Sequence, residues 1–170
     1  MTEAMDNAES SQLIVQQWLN LSREELDELY KSAKPGKIPE GDTRGTAILG
    51  NGVFPTLFAG AARKFAWQGK VFDLFEPNGN TGVLVNKVSP LGVRSIVAKV
   101  YRDKSWIDGQ DTIVIDYAKT SVLASRIRDE IREVAPDVYL GKVWWGTRRV
   151  MDFALETNLA PEASGCPFAA

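Results

Sequence analysis

From Trp67 to Glu156 the chain alternates residue by residue, in short runs cut by turn residues. "WQGKVFDL", "TGVLVNKV", "VRSIVAKVYR" and "DTIVIDY" are β-branched and aromatic, with a period of two. Between them stand "PNGN", "SPLG" and "KSWIDGQ", with Asn-Gly, Pro-Leu-Gly and Asp-Gly turn chemistry. Short strands joined by tight turns read as an antiparallel meander. Adding "DTRGTAILG" before, and "YLGKVWWG" and "RRVMDFALE" after, predicts about eight strands, at 43–50, 67–74, 81–88, 92–102, 111–117, 127–134, 138–145 and 148–156. Eight such strands in chain order can close into an up-and-down β-barrel, and closure removes exposed edges.

The N-terminal part has a different period. In "SQLIVQQWLNLSREELDELYKSA", Leu13, Val15, Trp18, Leu19, Leu26 and Leu29 recur at near-helical spacing. Ser22 followed by Glu25 is a capping box, so a second helix starts there. The first ten residues are polar, and we expect them to be irregular at their start. "KPGKIPEG" ends the helical part. Between the first two strands, Phe54, Leu57, Phe58, Ala61, Ala62 and Phe65 share one helical face and predict a short helix. The segment 121–134 supports two readings. Leu123, Ile127, Ile131 and Val134 fit a helix, while "EIREVAPDVYLGKVWW" fits two strands about Pro136-Asp137. The expected organisation is a helical segment at 1–40, a barrel at 41–156 and a loose tail at 157–170.

Composition excludes several chemistries. The chain has no histidine, which removes Ser-His and Cys-His pairs and the commonest metal ligand. Its one cysteine, Cys166, cannot form an internal disulfide, which fits a reducing compartment. A net charge of −2, with Lys and Arg spread out, gives no basic stripe for nucleic acid. The N-terminus lacks the pattern of a signal peptide, and no run approaches the roughly 20 apolar residues of a membrane span. We therefore expect a cytoplasmic protein with no nucleic-acid or membrane partner, no metal and no cofactor.

The order of motifs resembles the family of small bacterial and fungal proteins named for a G-x-W-x-G motif, with the domain of unknown function that commonly follows it. Trp67-Gln68-Gly69-Lys70-Val71-Phe72 matches the family's W-x-G-K-x-F. Gly41-Asp42-Thr43-Arg44-Gly45 stands where G-x-W-x-G belongs, with Thr43 in the Trp position. Tyr101, "TIVIDY" ending near Asp116, Asp129-Glu130-Ile131-Arg132, Leu140-Gly141 and "DFALE" look like the second half. The resemblance covers about residues 40–156. It implies a calycin-like barrel, as in lipocalins, and turns the reading of 127–134 toward strand. It brings no established reaction.

A calycin-like barrel suggests where chemistry would sit. Trp67 and Lys70 stand at the head of the first long strand. Lys70 either meets a carboxylate at the barrel end or faces a ligand's acidic group. Asp116, if it points inward, needs a cation such as Arg126, Arg128 or Arg132, because an unpaired buried carboxylate is costly. We expect Asp116, Asp129 and Arg132 to form one charged network, either structural or a polar floor for a ligand. Tyr101, Tyr117, Trp144 and Phe153 complete the candidate ligand-binding residues. Trp144 and Trp145 must face opposite sides of their strand; one lines the interior, and the other is covered by a helix or marks a homodimer surface. The expected function is lipocalin-like binding of a small apolar or aromatic ligand. The alternative is a cofactor-independent cyclase, isomerase or lyase of secondary metabolism.

Overall fold

The computed structural model describes residues 2–48, 67–74, 81–88, 97–118, 124–157 and 159. The helix expected between the first two strands and the C-terminal tail with Cys166 lie outside them.

Two helices come first, α1 (Thr2–Trp18) and α2 (Arg23–Ser32). Ser22 caps α2 as its sequence predicts. Glu25 N–H donates to Ser22 Oγ at 3.2 Å, and Ser22 N–H donates to Glu25 Oε2 at 2.8 Å. The first helix begins at Thr2, so the irregular start expected for the first ten residues is corrected. Ala8 and Ser11 are buried along with Val15 and Trp18, at steps of three, four and three. That face is helical, but two of its members are too small to register as an apolar stripe.

Nine strands follow among the described residues: β1 (Gly41–Asp42), β2 (Arg44–Ile48), β3 (Trp67–Leu74), β4 (Thr81–Val88), β5 (Val97–Lys104), β6 (Asp111–Asp116), β7 (Ile127–Ala135), β8 (Val138–Trp145) and β9 (Arg148–Glu156). Each of the eight expected strands has its counterpart, β2 standing for the first (43–50), and the structure adds β1 ahead of it. The ambiguous segment is strand from Ile127 on, and β7 turns into β8 through Pro136 and Asp137, the latter at φ 62°. An aspartate tolerates that left-handed conformation better than most residues. The hairpin between β8 and β9 turns at Gly146, φ 59°.

The sheet runs β1-β3-β4-β5-β6-β7-β8-β9-β2 and is antiparallel throughout. Its two ends, β1 and β2, are one stretch of chain, so the meander closes on itself as an up-and-down barrel. Thr43 makes the change of partner. Its N–H donates to the Lys70 carbonyl at 2.9 Å, its hydroxyl donates to the same oxygen at 2.7 Å, and Lys70 N–H donates to Thr43 Oγ1 at 3.0 Å. In the position where the resemblance puts a Trp, a hydroxyl thus extends the β1–β3 pairing by one residue.

Two apolar cores result. Inside the barrel pack Phe72, Leu84, Val100, Ile113, Ile115 and Ile131, among others. The chain between α2 and β1 adds Ile38 to this interior, and Tyr139 donates its hydroxyl to the Lys37 carbonyl at 2.9 Å, holding that chain against one end. Outside, Trp18, Leu26 and Tyr30 of the two helices cover Val138, Leu140 and Ala154 of β8 and β9. Among the described residues no helix is long and apolar enough to cross a membrane.

The closure makes a clear prediction. Thr43→Val keeps the shape at Thr43 but leaves the Lys70 N–H, which is buried, without its acceptor. Urea unfolding should show a loss of about 1–3 kcal/mol, the cost of an unsatisfied buried donor. An unchanged midpoint would mean that the strand exchange does not depend on the hydroxyl.

Candidate functional site in the barrel interior

Alternation decides which side chains meet. On β7, Ile127, Asp129 and Ile131 face the interior core, so Arg128, Glu130 and Arg132 face outward. On β6, Ile113 and Ile115 point inward, and Tyr117 just beyond the strand follows them. On β3, Phe72 points inward and Lys70 shares its side.

Three polar side chains therefore converge beside the apolar side chains described inside the barrel. Lys70, Tyr117 and Asp129 are 3%, 3% and 4% exposed. Lys70 Nζ donates to Tyr117 Oη at 2.5 Å and to Asp129 Oδ2 at 3.0 Å. Tyr117 Oη donates to Asp129 Oδ2 at 3.2 Å. The ammonium also lies 5.3 Å from the Tyr117 ring centre and 5.5 Å from that of Phe153, within cation–π range. Burial works against the Lys70 charge. The Tyr117 oxygen and the Asp129 carboxylate outweigh it and hold the lysine pKa above its ordinary value.

Phe153 owes its place to Gly141, its register partner on β8. A Cβ on Gly141 would stand within 2.2–2.5 Å of three atoms of the Phe153 ring. The L-G pair that the sequence singles out is thus a seat for an interior aromatic ring.

The expected network of Asp116, Asp129 and Arg132 does not form, and this is a correction. Asp129 points in and binds Lys70. Arg132 points out, where it clamps Asp108 with two bonds of 2.7 Å and donates to the Tyr30 carbonyl at 3.1 Å. Its guanidinium stacks 4.5 Å from the Tyr30 ring centre, under α2. Asp116 also faces outward, half-buried, where the Tyr101 hydroxyl approaches it at 3.4 Å and Ala118 N–H donates to it at 2.8 Å. Tyr101 is therefore on the exterior too. Trp144 is corrected in the same way: it lies on the outer surface, edge to face with Trp106 at 5.4 Å. Trp67 opens β3 opposite Val88. Of the nine candidates, Lys70, Tyr117, Asp129 and Phe153 come together inside.

Sequence reasoning missed a second polar cluster, on the outer face beneath α2. Glu130 is fully buried there and accepts from Ser105 Oγ at 2.6 Å, from Trp106 N–H at 3.0 Å and from Arg128 Nε at 3.1 Å. Thr112 Oγ1 lies 2.7 Å from Tyr30 Oη. Lys142, also buried, reaches Asp27 at 2.9 Å and Asp152 at 3.3 Å. Desolvation lowers its pKa despite both carboxylates. Every charge in this cluster has an opposite partner, and its groups tie α2 to the sheet. Strand parity together with an amphipathic helix nearby would have found it. Among the described residues no three acidic or cysteine side chains gather as a metal site.

No family model matches the chain, and no curated protein matches it in sequence. The chain is similar in fold to a solved protein from Thermomonospora curvata, with a TM-score of 0.56 and 18% identity over 92% of this chain and 98% of that one. The likeness extends over almost the whole of both chains and is one of fold alone.

Two measurements probe the interior. Lys70→Met and Asp129→Asn should each cost about 3–5 kcal/mol, because each leaves a buried partner uncompensated. The double variant should cost clearly less than their sum, by about 0.5–3 kcal/mol in a double-mutant cycle. The pH dependence has a definite sign. The folded Lys70 pKa lies above the unfolded value of about 10.4. Its contribution is complete below about pH 10.4 and is lost as pH rises through the folded pKa. The stability gap between wild type and Lys70→Met should therefore narrow only in strong alkali; a gap that closes near neutrality would contradict the assignment. Separately, Gly141→Ala should displace Phe153 and cost about 1–3 kcal/mol by overpacking, with a shift in the near-ultraviolet circular dichroism of the interior aromatics.

Proposed function

We propose that the barrel is a binding module for a small, largely apolar molecule with a single polar acceptor, such as a carbonyl or hydroxyl, directed at Lys70, Tyr117 and Asp129. One observation carries this reading: three buried polar groups converge on one point of an interior where the described core is aliphatic and aromatic. Sites for small molecules have that make-up, an apolar wall with few placed polar groups. A barrel of eight or so strands is of the width that holds one such ligand. Lys70 and Asp129 balance each other in charge, so the partner is a neutral molecule. The resemblance to the G-x-W-x-G proteins belongs to the same proposal, with the Lys of W-x-G-K-x-F as the residue that meets the ligand.

The 2.5 Å contact between Lys70 Nζ and Tyr117 Oη favours a second reading, a cofactor-independent isomerase or lyase. Asp129 would take a proton from the carbon next to a ligand carbonyl. Tyr117, held by the ammonium, would donate to the enolate oxygen that forms. Returning the proton at another carbon completes an isomerisation with no other reactant.

The test uses a neutral solvatochromic dye, Nile red, and a set of small cyclic ketones. Binding should raise dye emission, and the ketones should displace the dye. Tyr117→Phe should weaken ketone displacement while leaving dye binding intact. Absence of dye binding together with unperturbed Trp fluorescence would sink the binding reading. Deuterium uptake from heavy water into a bound ketone, lost in Asp129→Asn, would move the assignment to the enzyme.

A further inference from the structure

The outer surface carries a second place for chemistry, unrelated to the barrel interior. A groove of about 450 Å³ is lined by Arg23, Trp144, Arg148 and Arg149. Its position follows from the fold. Arg23 begins α2, and its guanidinium donates to the Arg149 carbonyl at 3.0 Å, holding the helix start to β9. Trp144 and Arg149 are register partners across β8 and β9, at the point where a bulge shifts the pairing. Arg148 follows the Gly146 turn at the tip of the same hairpin.

The charges around this groove do not cancel. Arg149 is paired with Asp27 and approaches Asp152 at 3.9 Å; these two carboxylates also serve Lys142. Two cations and two anions are thus balanced. Nearby Arg128 is balanced by Glu130 and Asp103. The Arg23 guanidinium has only the bond to a carbonyl, and the exposed Arg148 side chain has no ion pair or hydrogen bond among the described residues. Two guanidinium groups are left over, and both line the groove.

The groove wall is aromatic. Trp144 stands edge to face with Trp106, and Arg128 lies 4.6 Å from the Trp106 ring centre. Trp106 itself is 50% exposed, so the stack continues to solvent. Trp144 Nε1 is buried without a hydrogen-bond acceptor. The indole is therefore held by ring packing alone, an arrangement that calls for an explanation beyond stability.

We infer that this groove binds a small organic anion with a flat ring, the ring against Trp144 and the acidic group between Arg23 and Arg148. Guanidinium matches a carboxylate or phosphate with two parallel hydrogen bonds, and an indole face offers stacking area. Both parts are needed, since neither exposed arginines nor an exposed ring alone would select such a molecule.

The experiment is a titration of the full chain with three probes, by calorimetry and by the indole N–H resonances of the tryptophans. The probes are 1-naphthoate, its uncharged relative 1-naphthalenemethanol, and pyrophosphate. Trp144→Phe identifies the Trp144 resonance by its disappearance. Naphthoate should bind and shift that resonance. Naphthalenemethanol and pyrophosphate should each bind at least about fivefold more weakly. Arg148→Ala should weaken naphthoate at least about fivefold; Arg148 is exposed and holds no partner, so its loss leaves the fold intact. Equal binding of naphthalenemethanol would overturn the anion site, and equal binding of pyrophosphate would overturn the ring contact. Naphthoate bound without a shift at Trp144, or undiminished in Arg148→Ala, would overturn the location.

Discussion

Lys70 is held at both ends, and the rest of the barrel depends on it. Its main chain is tied to Thr43, where the first strand leaves β3 and crosses to β9. Its side chain meets Tyr117 and Asp129, on β6 and β7's side of the interior. One residue therefore joins the seam to the opposite wall. The seam needs such a tie. β1 contributes only Gly41 and Asp42 to the pairing with β3, too little to close a nine-stranded sheet by backbone bonds alone. The Thr43 hydroxyl adds two hydrogen bonds at the point where the backbone ladder would otherwise run out.

Burying a lysine inside a barrel is costly unless the charge is met. Removing an ammonium from water costs several kcal/mol, and a single carboxylate rarely restores all of it. Here the ammonium has a carboxylate, a phenol oxygen and two aromatic rings within reach. The raised lysine pKa reflects that the surroundings favour the charge more than burial opposes it. The outer cluster balances differently. For Lys142 desolvation outweighs Asp27 and Asp152, with Arg149 beside both carboxylates adding a smaller push in the same direction, and its pKa falls. Two buried lysines on opposite faces of one sheet thus shift in opposite directions, because the partners outweigh burial at Lys70 and do not at Lys142.

The strand pattern was legible where period two survives the packing, as in β5, which alternates exposed and buried from Val97 to Val100. The capping box at Ser22 was legible because it is local. What failed was long-range pairing. Asp129 and Arg132 were expected to join Asp116 because their strands are adjacent in a meander, where side chains of one face meet. Asp129 and Arg132 are three apart, an odd number, and a strand sends such residues to opposite faces. Asp116 failed by the same parity, since its neighbours Ile115 and Tyr117 take the interior. Lys70 was identified as a candidate, yet its partners lie 47 and 59 residues away, across strands whose registers no local pattern fixes. The helical look of Ile127, Ile131 and Val134 arose because β7 is buried on both faces. Its outward charges are covered by α2 and the 105–110 turn, and a doubly buried strand loses its simple alternation.

The two proposed sites, one on each face of the sheet, differ in charge balance. Inside, Lys70 and Asp129 cancel. A neutral guest can exchange hydrogen bonds with them at little electrostatic cost. A guest with its own charge would leave one unit uncompensated in a water-poor interior, which costs far more than a hydrogen bond returns. Outside, beside Trp144, the arithmetic is the reverse. Arg23 and Arg148 exceed the local carboxylates by two, and the groove is open to solvent. An anion there gains two cations without being fully dehydrated, whereas a neutral molecule gains only ring contact. The two proposed sites, a balanced one within and an unbalanced one without, arise because β8 and β9 put Phe153 on one side and Trp144 with its arginines on the other.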